Sequence, residues 1–489
     1  MLTPSNPTID YHAILPELIL AGTILLVVVF DSFLTRGRKH WTMPLSFLGT
    51  LAALVATLTL IGDSRSTFGG TYVVDPFAVL FKAFFLGSAL VVLAISLRYF
   101  REGRYYQGEY YFLLLTAFLG CLTIASSREL LMLFISLELV SAPGFLIAAF
   151  RKTDPRSNES GLKFFLIGVL SSAVMLYGMS LIYGITGTTR LDAIAEALAG
   201  PAGEGPLALA AIFLVVAGFA FKVSAVPFQF WAPDTYEGAP VPVAAFLSVA
   251  SKAAGFAALL QLMFVGFGPA AEFWTPVFFA LSVATMTIGN LVALAQTQVV
   301  RLLAYSSIAQ AGYMLLPFAL AGGTAATDRE AFAAAVLYIL LYAVMNLGAF
   351  AVVVAVVRDA PGALITDFAG LSRRAPVLAI AMATFMVSLA GIPPTAGFWA
   401  KFFIFSAAID RGGLGVWLAG IMVVNSVISL FYYVAIARQM FMVDGEQRPL
   451  TSPALVSGVA ALAAVAIVVL FVFPDLLARF PPGATLPGR

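Results

Sequence analysis

Five lysines and one glutamate stand where charge is costly. Lys82, Lys163, Lys222, Lys252 and Lys401 fall inside long apolar runs, and Glu138 sits within another, in Leu137-Glu138-Leu139. A charged side chain at the centre of a membrane-spanning helix costs about 2.5–3.5 kcal/mol on insertion scales, so several kept together point to use. The chemistry open to amines and carboxylates there is proton exchange: a buried Glu–Lys pair whose geometry changes moves its lysine between charged and neutral forms. Held rigidly, the same pair would only anchor the fold. Lys252 lies ten residues past Pro242, about 15 Å along a helix, and cannot easily reach either surface. Lys82 and Lys163 lie within two turns of a helix start, where a flexible stem could carry the ammonium to the interface. For these two, the anchoring and the functional readings both stay open.

Two lysine-bearing runs are also broken by proline. The first reads Phe221-Lys222-Val223-Ser224-Ala225-Val226-Pro227 and continues to Trp231-Ala232-Pro233-Asp234; the second reads Gly391-Ile392-Pro393-Pro394-Thr395, then Phe398-Trp399-Ala400-Lys401. Irregular backbone at membrane depth survives only where protein or water satisfies the freed groups. Two such segments in the two halves of a chain point to inverted repeats around ion sites.

The elements that must position these residues are helices in lipid. With 489 residues, 61% hydrophobic and 11% charged, the chain has too few polar groups to cover a soluble globule. Apolar runs place fourteen spans at about 13–34, 44–62, 76–98, 109–126, 129–150, 161–186, 207–226, 241–267, 274–296, 299–321, 331–357, 376–410 (interrupted), 414–440 and 453–474. The tight junctions near Ser127 and Gln298 could each be read as one long helix. The fold class is therefore an all-α polytopic membrane protein with two inverted repeats and two Pro-broken helices. Helices one to three occupy 1–108, the repeats 109–267 and 274–440, and a last helix with its tail 441–489. Fifteen loop lysines and arginines, Arg36, Lys39 and Arg104 among them, fall on one side and seven, including Arg479 and Arg489, on the other. Because basic loops stay cytoplasmic, this places both termini on the outer side of a cell inner (plasma) membrane.

Several functions are excluded. The net charge of +2 is spread over many short loops and leaves no basic face for nucleic acid. Cys121 is the only cysteine and reads as a small buried hydrophobe; His12 and His40, the only histidines, flank spans. Iron–sulfur clusters, multi-cysteine zinc sites and paired intramembrane haem ligation are thereby ruled out, and neither GxGxxG nor GxxxxGK occurs. No metal, cofactor or redox centre is expected in this chain.

Leu137-Glu138-Leu139-Val140-Ser141-Ala142-Pro143, Lys222 through Pro227 with Trp231 through Pro240, and Gly391 through Phe398 give the sequence its resemblance. Over nearly its whole length it resembles the antiporter-like membrane subunits of proton-pumping NADH-quinone oxidoreductase, respiratory complex I, which are related to subunits of cation/proton antiporters. Ser248-Val249-Ala250-Ser251-Lys252-Ala253-Ala254, a lysine instead of an acid at 401 and a chain that ends soon after the fourteenth helix are most similar to the subunit N branch. The resemblance implies that Glu138 and Lys222 form a coupling pair, Lys252 a central relay and Lys401 an exit-side protonatable group, all serving proton translocation. It further implies NADH, FMN, iron–sulfur clusters and quinone in other subunits, with membrane subunits of that complex as partners. Gln229 and Gln310 depart from the pattern, since relatives carry histidine there, which puts a histidine relay in doubt. The rival readings are an Mrp-type cation/proton antiporter subunit, a related hydrogenase-complex subunit, or an assembly scaffold whose buried charges merely pair.

Overall fold

A computed structural model describes residues 9–102, 107–446, 448–450 and 452–478; Arg104, Arg479 and Arg489 of the charge count lie outside them. Twelve helices in it are long and apolar enough to cross a membrane, and two shorter apolar helices, Pro206–Lys222 and Pro376–Ala390, lead into the two breaks. Counting each broken pair once, these are the fourteen expected spans. In chain order the spans are Leu15–Phe33, Thr42–Leu58, Pro76–Glu102, Gln107–Ser126, Leu130–Ala148, Pro155–Thr186, then Pro206–Lys222 with Trp231–Gly238 as the broken seventh. Val241–Gly266, Ala271–Ala293, Val299–Ala319 and Ala325–Val357 follow as the eighth to eleventh. Pro376–Ala390 with Ala396–Arg411 is the broken twelfth, and Leu414–Met442 and Ala454–Val472 complete the set. Strand is limited, among the described residues, to the hairpin Arg65–Thr67 with Tyr72–Val74.

The sixth and eleventh spans each begin six residues earlier than their apolar runs. Their first turns are polar but capped: the Asp154 side chain accepts from the Arg156 N–H, and the Thr324 hydroxyl accepts from the Thr327 N–H. The junctions near Ser127 and Gln298 are true breaks, held by bridges from Tyr72 to Ser127 and from Gln298 to Leu364.

The eighth, tenth and eleventh spans are almost wholly buried, whereas the first, sixth, thirteenth and fourteenth expose leucine, valine and phenylalanine. Lipid must cover those outer faces. The centre is therefore where polar side chains are hidden, and the eighth span has a local irregularity there: residues Leu247–Ser251, immediately before Lys252, wind as a π-helix.

Candidate proton-transfer site

Each broken span leaves backbone groups without helical partners, and other side chains supply partners to them. In the seventh span the helix stops at Lys222, and Ser224 adopts a left-handed φ of 59°. The Trp231 indole then donates to the Phe221 carbonyl at 3.1 Å, and the Val226 N–H finds Thr285 Oγ1 at 3.0 Å. In the twelfth span Gly391, at φ 87°, turns the chain, and the Lys401 ammonium itself donates to the Ala390 carbonyl at 2.8 Å. A side chain at Gly391 would be strained at that φ and would collide with the Lys401 stem. The two breaks thus hold their lysines differently. Lys222 ends a half-helix, whose dipole favours a cation there; Lys401 reaches back to cap one.

Lys222 and Glu138 are each held by a serine of their own. Lys222 Nζ donates to Ser141 Oγ, one turn beyond Glu138 on the fifth span, while Ser172 Oγ of the sixth span donates to Glu138 Oε1 at 2.5 Å. Ser141 Oγ donates its own proton to the Leu137 carbonyl, and among the described residues no oxygen of Glu138 lies within ion-pair distance of Lys222, so the two charges are neighbours without a direct or bridged hydrogen bond. Lys252 is buried, and its ammonium donates to the Ser307 carbonyl at 2.9 Å and to Ser307 Oγ at 2.6 Å. Lys401 also donates to Ser426 Oγ at 3.1 Å and lies 4.7 Å above the Tyr313 ring. It lines a cavity of about 380 Å³ with Phe398, Phe402, Met422 and Val427, of which Phe402 and Val427 are exposed on the lipid side.

Between Lys252 and Lys401 the tenth span carries a polar stripe: Ser306, Ser307, Gln310 and Tyr313. The spacing of three to four residues puts them on one helix face. Ser306 and Tyr433 share a hydrogen bond of 2.5 Å, Gln310 Nε2 donates to Tyr433 Oη at 3.1 Å, and Tyr338 Oη donates to Gln310 Oε1 at 2.5 Å. Asn290 Nδ2 donates to Tyr313 Oη at 3.1 Å. From Ser307 to Tyr313 is six residues, about 9 Å of helix rise. The Gln310 amide therefore stands at the middle of the stripe, binding but not titrating.

A second interval of six residues, again about 9 Å, separates Ser307 from Arg301 at the other end of the span. Arg301 holds Asp234 and Glu237, each at 2.8 Å, and Asp234 also accepts from Lys163 at 2.8 Å, around a polar cavity of about 300 Å³. Lys163 is half-exposed there and also pairs with Glu159 at 2.8 Å. Tyr236 and Tyr342 direct their hydroxyls toward Ser307, yet neither hydroxyl completes a protein hydrogen bond, nor does Asn346 Oδ1.

Lys82 does not reach the interface. It is fully buried, 3.0 Å from Glu17 and donating to the Tyr72 hydroxyl at 2.7 Å. Sequence reasoning set Glu138 apart as the acid deep inside a helix and passed over Glu17, because a first-turn acid looks like an ordinary helix-dipole residue. Ser141, Ser172, Ser307 and Tyr433 carry no local signal, because packing alone brings them to their partners.

The fold and the site define a polytopic helical membrane protein with buried, serine-bound lysines at two helix breaks. More particularly, the chain belongs to the family described as NADH:quinone oxidoreductase/Mrp antiporter, transmembrane, whose model matches residues 127–429. It is 42% identical to NADH-quinone oxidoreductase subunit N of Trichlorobacter lovleyi over 90% of this chain and 89% of the relative. A chain of respiratory complex I from Thermus thermophilus superposes with a TM-score of 0.80 at 32% identity, covering 95% of this chain and 98% of that one. A chain of the Mrp complex from Dietzia sp. shares the fold, with a TM-score of 0.84 at 22% identity over 97% of both chains.

Proposed function

We infer that this chain works as the N-type membrane subunit of a proton-pumping NADH-quinone oxidoreductase and that Glu138, Lys222, Lys252 and Lys401 translocate the proton. The observation that carries this reading is the tenth span, on which one polar face (Ser307, Gln310, Tyr313) has Lys252 at one end and Lys401 at the other while the lipid faces stay apolar. Redox chemistry in neighbouring subunits alters the field at Glu138. That change acts on Lys222 through space, since an opposite charge nearby favours the ammonium and its withdrawal favours the amine. Protons enter from the cytoplasm at the Asp234–Arg301–Glu237 cavity, pass Tyr236 and Ser307 to Lys252, and leave by way of Tyr313 and Lys401. The repeats are 109–267 and 274–440, each closed by a lysine-bearing break and a following helix. NADH, FMN, iron–sulfur clusters and quinone reside in the other subunits, and both termini face the outside of the inner (plasma) membrane.

Likeness to the Mrp complex extends to the fold, whereas relatives near 40% identity over most of the chain are oxidoreductase subunits. The deciding experiment is affinity purification of the tagged chain from its own membranes. Flavin and iron–sulfur subunits in stoichiometric amounts, with NADH-driven proton uptake into proteoliposomes, are expected. A complex free of both, carrying out cation/proton exchange, would assign the chain to the antiporter reading.

A further inference from the structure

Asn290, near the C-terminal end of the ninth span, is fully buried where that span packs against the tenth and the thirteenth. Its Nδ2 lies 3.1 Å from the Asn425 carbonyl, 3.2 Å from Asn425 Oδ1 and 3.1 Å from Tyr313 Oη, while its Oδ1 lies 2.9 Å from the Tyr432 hydroxyl. A backbone carbonyl only accepts, so the nitrogen of the amide, and not its oxygen, must face Asn425. Asn425 is pinned in the same way, with its own Nδ2 donating to the Ile421 carbonyl at 3.1 Å and to Thr287 Oγ1 at 3.2 Å. Tyr432 therefore donates to Asn290, and Tyr313 accepts from it. The Tyr313 hydroxyl must aim its own proton elsewhere, and beside it stand the Ser426 and Ser429 hydroxyls of the thirteenth span. Ser429 Oγ donates to the Ser426 carbonyl at 2.7 Å, and Ser426 Oγ accepts from the Lys401 ammonium at 3.1 Å.

We propose that Asn290 is a positioning residue for proton exit: by donating to Tyr313 Oη it holds the tyrosine's proton toward Ser426, the direction in which Lys401 is reloaded. The inference rests on the proton-transfer reading of Lys401. Once Lys401 has released its proton, the neutral amine takes the Ser426 proton, Ser426 Oγ takes the Tyr313 proton, and Tyr313 takes one arriving along the tenth span. The charge returns to Lys401, and each hydroxyl ends with the single proton it began with. An amide turned the other way would draw the tyrosine's proton to its own oxygen and leave Ser426 without that donor.

The test is NADH-driven proton uptake by the assembled complex in proteoliposomes, normalised to complex content and run in ordinary and in heavy water. Asn290→Leu, close in volume, should slow uptake roughly tenfold, the change that one buried hydrogen bond makes in the balance between two hydroxyl orientations. It should also raise the ratio of rates in ordinary and heavy water, because the proton step becomes limiting. In a Tyr313→Phe background it should cost nothing further. Tyr432→Phe removes a bond of the same network but leaves the amide pinned by the Asn425 carbonyl, so its rate and its isotope ratio should match those of the unmodified complex. If Asn290→Leu fails to assemble, Asn290→Ser, one bond shorter and out of reach of Tyr313, takes its place. A wild-type rate in the Asn290 variant, or a loss that adds to that of Tyr313→Phe, overturns the proposal. An equal loss in Tyr432→Phe also overturns it and leaves Asn290 a role in helix packing alone. Lys401→Met distinguishes the two readings: normal uptake by that variant removes the exit route itself, whereas its failure beside normal uptake by the Asn290 variant removes only the role of Asn290.

Discussion

Replacing Lys252 with methionine separates conduction from scaffolding, because the two roles predict opposite results. The lysine is buried with two donor bonds to Ser307, so the substitution removes an ammonium that the fold desolvated at a cost of several kcal/mol. It leaves Ser307 Oγ without that partner, a loss of about 1–3 kcal/mol. The net effect on stability is neutral or slightly favourable, and the complex should assemble in normal amount. Conduction fares otherwise. A proton crossing this point without an amine must exist as an uncompensated charge at membrane depth, a penalty of about 2.5–3.5 kcal/mol. At about 1.36 kcal/mol per decade, passage slows roughly 70- to 400-fold. Lys252→Arg keeps the charge but holds its proton too firmly to release it, and should restore little turnover. The assay is NADH-driven proton uptake by proteoliposomes, normalised to complex content. Wild-type pumping by Lys252→Met would remove this lysine from the path.

Glu138→Ala should lower coupled activity with assembly intact, while Glu138→Asp, which keeps the charge one methylene further from Ser172, should keep more of it; equal activities would remove the electrostatic coupling. Lys82→Met should cost about 3–5 kcal/mol and reduce assembled complex by stranding the buried Glu17, and adding Glu17→Leu should restore it, as measured by native-gel complex content; no recovery in the double variant would deny that the pair is the cause. Tyr236→Phe should slow pumping several-fold more at alkaline than at neutral pH, because it thins the uptake chain when protons are scarce, and a flat pH ratio would refute that route. Reporter fusions after residue 478 should be active only outside the cytoplasm.

The spans were legible because apolar length is a property of each stretch taken alone. Their polar first turns were not, since Asp154 and Thr324 act through hydrogen bonds that hydropathy does not register. Lys222, Lys252 and Lys401 announced themselves as charges in the wrong solvent. Their partners did not, because Ser307 is 55 residues from Lys252 and Ser141 is 81 from Lys222, and only packing brings them together. Lys82 shows the limit from the other side: its position within two turns of the helix start suggested an escape to the interface, but Glu17 and Tyr72, from other elements, enclose it.

The π-turn before Lys252 ties the aim of its ammonium to a count of residues. A wide turn of this kind accommodates one residue more than an α-helical turn. Were residues 247–251 rewound as α-helix with nothing removed, everything beyond would rotate by about 100° and the lysine would leave Ser307. Losing one residue at the same time would straighten the helix and leave the lysine's heading unchanged. Lineages of this protein can therefore shed the irregularity through a one-codon deletion, but not through substitution alone, and drift in this stretch should be recorded as changes of length.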